Sequence, residues 1–318
     1  MDVLRIHLDT DLGSDMDDLA ALVMLLGSAD VELTGVTTCI DPGGRRAGYV
    51  GHALELAGRH DVAVAAGAEV SMTTLAMPGE IPDDERWPEP VAPAPSPAGS
   101  ALRLLADSID AGATIVAIGP CTNLALLAVE RPGVLARADV VMMGGWLDPS
   151  PEDLPAWGPA RDWNVQCDTT AASVVVDHAG EVTLVPLSLT IRAHLRRRHL
   201  ERLQAAGPLG RLLALQAERQ AVEESVGALA RAHAGLPEDL LAFHHDPLTC
   251  AAALGWPGLA REERRVVPVL DSEVLRFAGS DHGRLIHVAV GVDTTAFEEL
   301  WLASVETADE RGRNPPAS

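Results

Sequence analysis

Short apolar runs recur along this chain, and most are followed by a longer segment with helical spacing. Val3-Leu4-Arg5-Ile6-His7-Leu8 predicts a first strand, and Leu19 to Leu26 predicts a helix too apolar to face water widely. Further strands are predicted at Val31 to Cys39, Val62 to Ala65, Thr114 to Ile118, Val140 to Met143, Val182 to Leu187 and Leu285 to Val290. Helices are predicted around Ala47 to Gly58 and Thr295 to Val305, with a long helical stretch between Ala193 and Ala234. This alternation predicts an α/β fold, an open and mostly parallel sheet with helices on both faces. Two segments break it. Residues 77–99 carry seven prolines, several acidic residues and one Trp, and read as an irregular surface flap. Asp309 to Ser318 is polar and proline-bearing and reads as a disordered tail. No linker divides two cores, so a single domain over residues 1–308 is expected.

Composition narrows the chemistry. The 318 residues are 47% hydrophobic, enough for a sizeable core, but only 3% aromatic, so Ala, Leu and Val must build it. A net charge of −22 disfavours nucleic acid and anionic membranes as partners. All 24 basic residues are arginines. Schiff-base chemistry, a Walker-type phosphate loop and any catalytic lysine are thereby excluded. Cys39, Cys121, Cys167 and Cys250 are far apart without a CxxC pair, and read as small buried hydrophobes. No signal-peptide pattern and no uninterrupted membrane-length apolar run is present, so a cytoplasmic location is expected.

The densest chemistry lies between the first strand and first helix. Asp9-Thr10-Asp11-Leu12-Gly13-Ser14-Asp15-Met16-Asp17-Asp18 packs five carboxylates into ten residues. Asp15 and Asp18 have the spacing of a helix N-cap and its N3 partner, which explains one or two of the five. The remaining repulsion calls for a hard divalent cation with oxygen ligands, or a polyol. Other polar groups follow later strands: Thr37-Thr38-Cys39-Ile40-Asp41, Gly119-Pro120-Cys121-Thr122-Asn123, Met143-Gly144-Gly145 with Arg161-Asp162-Trp163-Asn164, and His244-His245-Asp246-Pro247-Leu248. Ligands in open parallel sheets bind outside the carboxyl ends of strands. Thr122-Asn123 also suits a helix cap, Asp246-Pro247 a helix opening, and His245 a structural histidine. The Arg196-Arg197-Arg198 run reads as a solvated face.

These motifs, in this order, resemble the inosine-uridine-preferring nucleoside hydrolases from about Val3 to Val305. The resemblance implies a Rossmann-like sheet, one Ca²⁺, a homodimer or homotetramer, and hydrolysis of a ribonucleoside N-glycosidic bond by a water held on the ion. Carried over by motif, Asp11 bridges the ion and water as general base. Asp18, Asp246 and the Thr122 carbonyl complete the protein ligands. Asp17 and Asn164 hold the ribose 2′- and 3′-hydroxyls, Asp162 faces the 5′-hydroxyl, and Met143 packs near the sugar beside Trp163. His245 stands where some members have a leaving-group acid. Both sugar hydroxyls on the ion would fix the anomeric carbon against the water, and direct attack would invert it.

The chain departs from the pattern at four places. Asp15 and Met16 lengthen the first turn by two residues, so Asp15 is an alternative ligand to Asp17 or Asp18. Asp41 replaces a frequent Asn near the sugar, Ser188 a frequent acid, and the flap lacks a histidine- and glycine-rich element. Trp87, the flap's aromatic residue, either stacks on the base or anchors the loop. Two other classes compete. A non-catalytic nucleoside or ribose binder would keep the pocket without turnover. A haloacid-dehalogenase-like phosphatase shares the Asp9-Thr10-Asp11 strand end but leaves the later motifs unexplained. An EF-hand fails because Ala20 occupies the bidentate Glu position.

Overall fold

A computed structural model describes residues 3–13 and 15–313. Five strands alternate with helices in the first 150 residues. They are β1 (Leu4–Thr10), β2 (Val31–Thr38), β3 (Val64–Ala66), β4 (Thr114–Ala117) and β5 (Asp139–Met143), with helices α1 (Asp17–Gly27), α2 (Arg45–Leu56), α3 (Ser100–Asp110) and α4 (Thr122–Glu130). Helices α5 (Trp163–Cys167) and α6 (Thr169–His178) lead to β6 (Glu181–Val185) and α7 (Leu187–Thr190). A small antiparallel pair, β7 (His194–Arg196) and β8 (Leu240–Phe243), encloses α8 (Leu200–Ala206), α9 (Pro208–Glu223) and α10 (Val226–Ala232). After α11 (His245–Ala253) come β9 (Leu259–Asp271), β10 (Val274–Gly279), β11 (Arg284–Val292) and α12 (Thr294–Arg313).

The main sheet has nine strands in the order β10-β9-β11-β6-β5-β4-β1-β2-β3. From β3 to β6 all pairings are parallel, β11 joins β6 in parallel, and β9 pairs antiparallel with both β10 and β11. The chain winds outward from β1 to β3, then returns to β4 on the other side of β1. Between β1 and β4 the winding reverses, and such a switch point opens a crevice beyond the strand ends. β1 is buried on both faces, as central parallel strands are. Every residue of α1 is buried as well, which is why its sequence carries no polar stripe after Asp18. Trp301 of α12 donates its indole N–H to Ala20 O at 3.2 Å. At Gly27 a Cβ would lie 1.9 Å from Ser304 O, so the two helix backbones touch there.

Several elements differ from the sequence expectation. The stretch from Ala193 to Ala234 is a strand and three helices rather than one long helix. Gly207-Pro208 breaks it, because proline lacks the N–H that a continuing helix requires. Ser225 breaks it again in the left-handed region. β9 and β10 were not expected: the Arg261-Glu262-Glu263-Arg264-Arg265 run and Pro268 hide the strand alternation of β9. Residues 77–99 form an irregular flap until α3 begins at Ser100. Trp87 is a root of that flap. It is 3% exposed and stacks on Tyr49 at 4.4 Å with the rings 4° from parallel.

The tail also differs. α12 continues through Arg313, and residues 314–318 lie outside the described residues. Asp309, placed by its polar context in the tail, is 2% exposed and caps α9, accepting from Leu209 N at 3.0 Å and Gly210 N at 2.9 Å. Gly207 makes room for it, since a Cβ there would meet Asp309 Cγ at 2.5 Å. Asp309→Ala removes the cap and leaves two helix N–H groups without an acceptor. It should cost about 2 kcal/mol and lower the Tm by about 2–6 °C, measured by calorimetry.

Candidate active site

The carboxyl ends of β1, β4, β5 and β6 open into a cavity of about 870 Å³. Asp11, just past β1, lines it and is 6% exposed. β4 can approach this closely because Gly119 has no side chain: a Cβ there would meet Asp11 Oδ1 at 2.8 Å. Asp15, Asp17 and Asp18 line the same wall, and Asp246 joins them from the first turn of α11. Asp17 Oδ2 accepts from Asp246 N at 3.0 Å, which ties α11 to the β1–α1 turn. Asp15 Oδ1 accepts from Asp17 N at 3.1 Å, and Thr10 donates to Asp18. The helix N-cap is Met16, whose N–H goes to Gln220 on α9 at 2.9 Å. The Asp15–Asp18 capping reading therefore does not hold.

These carboxylates are shielded from water and crowd one another. Burial raises the pKa of each of the five, most strongly at Asp17, Asp18 and Asp246. Neighbouring negative charge adds to it: Asp15 at Asp17, Asp11 at Asp18, and Asp17 at Asp246. Arg86 at the mouth lowers Asp15, and Arg46, 2% exposed, lowers Asp11, Asp15 and Asp18. The Arg46 guanidinium is oriented by backbone carbonyls, donating to Asp11 O and to Ile40 O at 2.9 Å. Ile40 presents that carbonyl from the left-handed region, φ 50°, which a β-branched residue rarely enters.

Two guanidiniums do not balance five carboxylates, and Asp17 Oδ1 is buried without a hydrogen-bond partner. The donors are all oxygen, the set that Ca²⁺ or Mg²⁺ takes. Among the described residues, no three acidic, imidazole or thiol side chains already close on one point as a ligand cage. The fit is thus one of donor chemistry and charge.

The sugar-side expectations divide. Met143 and Asn164 line the cavity, with Asn164 Nδ2 donating to Ile118 O at 2.9 Å. Its amide nitrogen is thereby committed, and its oxygen is the end left for a ligand. Asp162 also lines the cavity, but it caps α5: its oxygens accept from Gly145 N at 2.6 Å and Val165 N at 3.2 Å. Burial lifts its carboxyl to about 6. Trp163 stands beside the general-base candidate, 52% exposed, with its indole N–H 3.3 Å from Asp11 Oδ2. The flap crosses over it at Gly79, where a Cβ would meet the indole at 2.8 Å.

One expected residue lies elsewhere. Asp41 is not at the cavity: it accepts from Thr38 Oγ1 at 2.6 Å, Arg46 N at 2.7 Å and Ala47 N at 3.0 Å, fixing the start of α2. Thr122 is fully buried in the first turn of α4 and gives its hydroxyl to Asp168 at 2.7 Å. The hydroxyl bond does not engage the Thr122 carbonyl, the atom expected as a ligand, and Ile118, just past β4, lines the cavity. Ser188 is buried in α7, and its neighbour Leu187 lines the wall. Asp9, a member of the acidic run, points away to Thr37 Oγ1 at 2.5 Å and Asn123 Nδ2 at 2.8 Å. Burial raises its carboxyl to about 7.

His245 does line the cavity. Its Nδ1 is 2.7 Å from Thr190 Oγ1, which leaves Nε2 as the nitrogen available to a ligand. Burial lowers its pKa to about 3, which favours the neutral ring. Sequence reasoning missed Trp157, Phe243, Arg86 and Gln220, which also line the cavity. Phe243 directly precedes the HHDPL motif, the one signal that pointed to it. The other three come from the flap, the irregular segment after β5, and a helix of ordinary amphipathic pattern.

The family model described as inosine-uridine preferring nucleoside hydrolase matches residues 6–299. The pyrimidine-specific ribonucleoside hydrolase RihA of Salmonella paratyphi A is 32% identical over 222 residues, 66% of this chain and 69% of its own. Among solved structures, the plant nucleoside hydrolase PpNRh1 aligns with a TM-score of 0.80 at 22% identity, covering 95% of this chain and 99% of its own. A purine-preferring ribonucleoside hydrolase from Gardnerella vaginalis aligns with a TM-score of 0.78 at 22% identity, over 96% and 99%. At that identity the two structures speak for the fold, and the family rests on the model match and the RihA relative. The chain belongs to the inosine-uridine preferring nucleoside hydrolase family, whose members hydrolyse the N-glycosidic bond of ribonucleosides.

Proposed function

We propose that this protein hydrolyses a ribonucleoside or related N-riboside by direct attack of water at the anomeric carbon, with Ca²⁺ as cofactor and Asp11 as general base. The observation that carries the reading is the set of buried carboxylates at the switch point, with Asp17 Oδ1 unpartnered among them. Asp11, Asp18, Asp246 and the Thr122 carbonyl would hold the ion, with Asp15 as an alternative ligand and Asp17 turned to the ribose. When bound, a hard divalent cation offsets their charge, grips vicinal hydroxyls and acidifies a water.

The protein's own groups do the rest. Asp11 takes the proton of the attacking water, and its indole contact from Trp163 fixes the carboxylate plane. Asn164 meets a ribose hydroxyl through its amide oxygen, and Met143 gives the sugar an apolar face. Positive charge develops on the sugar as the C1′–N bond breaks, and the surrounding carboxylates stabilise it. His245 offers Nε2 to the departing base, held by Thr190.

Removing the cation should abolish turnover and destabilise the fold, because the carboxylates then repel. Exhaustive chelation followed by titration with Ca²⁺ or Zn²⁺ checks this; full activity in the metal-free protein, or restoration by Zn²⁺ alone, contradicts it. Asp11→Asn keeps the shape and removes the base, so kcat should fall by about 10²–10⁴-fold, with nucleoside binding less affected. Activity within a few-fold of wild type would move the base elsewhere, first to Asp15. Trp87→Ala tests the anchoring role seen in its stack on Tyr49. Losses in kcat/KM should be equal for one purine and one pyrimidine nucleoside, since the ring holds the flap and does not touch the base. Unequal losses at unchanged Ca²⁺ content would return Trp87 to base recognition.

A further inference from the structure

The cavity has two further features, an acidic rim and an aromatic wall around His245. Its mouth carries a second tier of carboxylates: Glu80, Asp83 and Glu85 from the flap, and Glu223 and Glu224 at the end of α9. In all, eleven acidic side chains line the cavity against two arginines, Arg86 and Arg161. Arg86 is already engaged, at 2.7 Å from Glu223 and 3.4 Å from Glu224. Glu80 and Glu85 are exposed. The buried tier below includes the unpartnered Asp17 Oδ1.

An aromatic wall flanks Asp246. Phe243 and His245 stack at 5.4 Å, and Trp157 meets Phe243 edge-on at 5.4 Å. A cation already sits on this wall, for Arg161 lies 5.6 Å from the centre of the Trp157 ring. Aromatic faces ringed by carboxylates are the environment that recognises a delocalised organic cation. A neutral base gains little from the acidic tier, and a phosphorylated substrate is repelled by it.

We propose that the preferred substrates are N-ribosides whose base carries a positive charge, such as pyridinium or N-alkylated purinium ribosides. The proposal rests on the hydrolytic reading above and adds the substrate class. Chemically the step is balanced without further reagents. Water oxygen bonds to C1′ as the C1′–N bond breaks, and the bonding pair returns to the ring nitrogen, cancelling its charge. One water proton passes to Asp11 and then to solvent, and ribose and a neutral base leave. A neutral base would depart as an anion and need a proton; a cationic one does not.

The test compares 3-carbamoylpyridinium β-D-riboside with the neutral nucleosides uridine, cytidine, inosine and guanosine, in wild type and in Glu80→Gln/Glu85→Gln. Intrinsic leaving-group reactivity cancels when each substrate is expressed as variant over wild type. At low ionic strength kcat/KM for the cationic riboside should fall about ten-fold more than for the best neutral nucleoside, and about 0.5 M salt should shrink that difference. Equal ratios for both substrates at low and high salt, or a wild type that cleaves only neutral nucleosides, overturns the charge preference and leaves the hydrolase intact. Cleavage of none of the five overturns the hydrolytic reading, and the substrate class falls with it.

Discussion

Like charge confined out of water is the constraint around which this molecule is arranged. Four carboxylates from one strand-to-helix turn and a fifth from a helix 228 residues later share a single buried wall. Desolvation and mutual repulsion both oppose their ionised forms. Among the described residues the fold buries one guanidinium, Arg46, which donates to the backbone carbonyls of Ile40 and Asp11. Negative charge is thus left in surplus where the ligand must sit. A surplus of this kind is costly to the apo fold and becomes useful when a cation, and a sugar acquiring positive charge, enter the cavity.

The sheet makes that concentration possible. β1 lies at the point where winding reverses, so the chain leaves its carboxyl end without a crossover helix filling the space on the β4 side. Around this floor the walls have different origins. α9 brings Gln220 and two glutamates, the irregular segment after β5 brings Trp157, and the flap brings the acidic rim with Arg86. The flap is held by the Trp87 stack on Tyr49, by the Tyr49 hydroxyl donating to Asp83 O at 2.7 Å and by Arg45 donating to Val91 O at 2.7 Å.

How much of this was legible in the sequence depended on the range of the interactions. Asp11, Asp17 and Asp18 announce themselves because five acids in ten residues have no ordinary structural use, and the parallel sheet follows from the strand–helix alternation. Asp41 misled because a short polar residue at a strand end serves a helix start as readily as a ligand. Deciding between the two needs the N–H groups of Arg46 and Ala47 to be placed in space. Trp87 was ambiguous because its partner Tyr49 is 38 residues away. Phe243 and Trp157 meet only through the β7–β8 region, where no periodicity signals contact. Asp309 read as tail because an isolated polar stretch looks the same whether it caps a distant helix or faces solvent.

That cap holds one end of α9, while Gln220 on Met16 N and Glu223 on Arg86 hold the other. Its first turn is pinned by Asp309 on the C-terminal helix, and its last turn carries Glu223 at the mouth of the cavity. Sixteen residues of helix span about 24 Å at ~1.5 Å per residue, so each degree of tilt about the pinned end displaces the far end by about 0.4 Å. A shift of α12 that tilted α9 would therefore move Glu223 at the rim of the cavity.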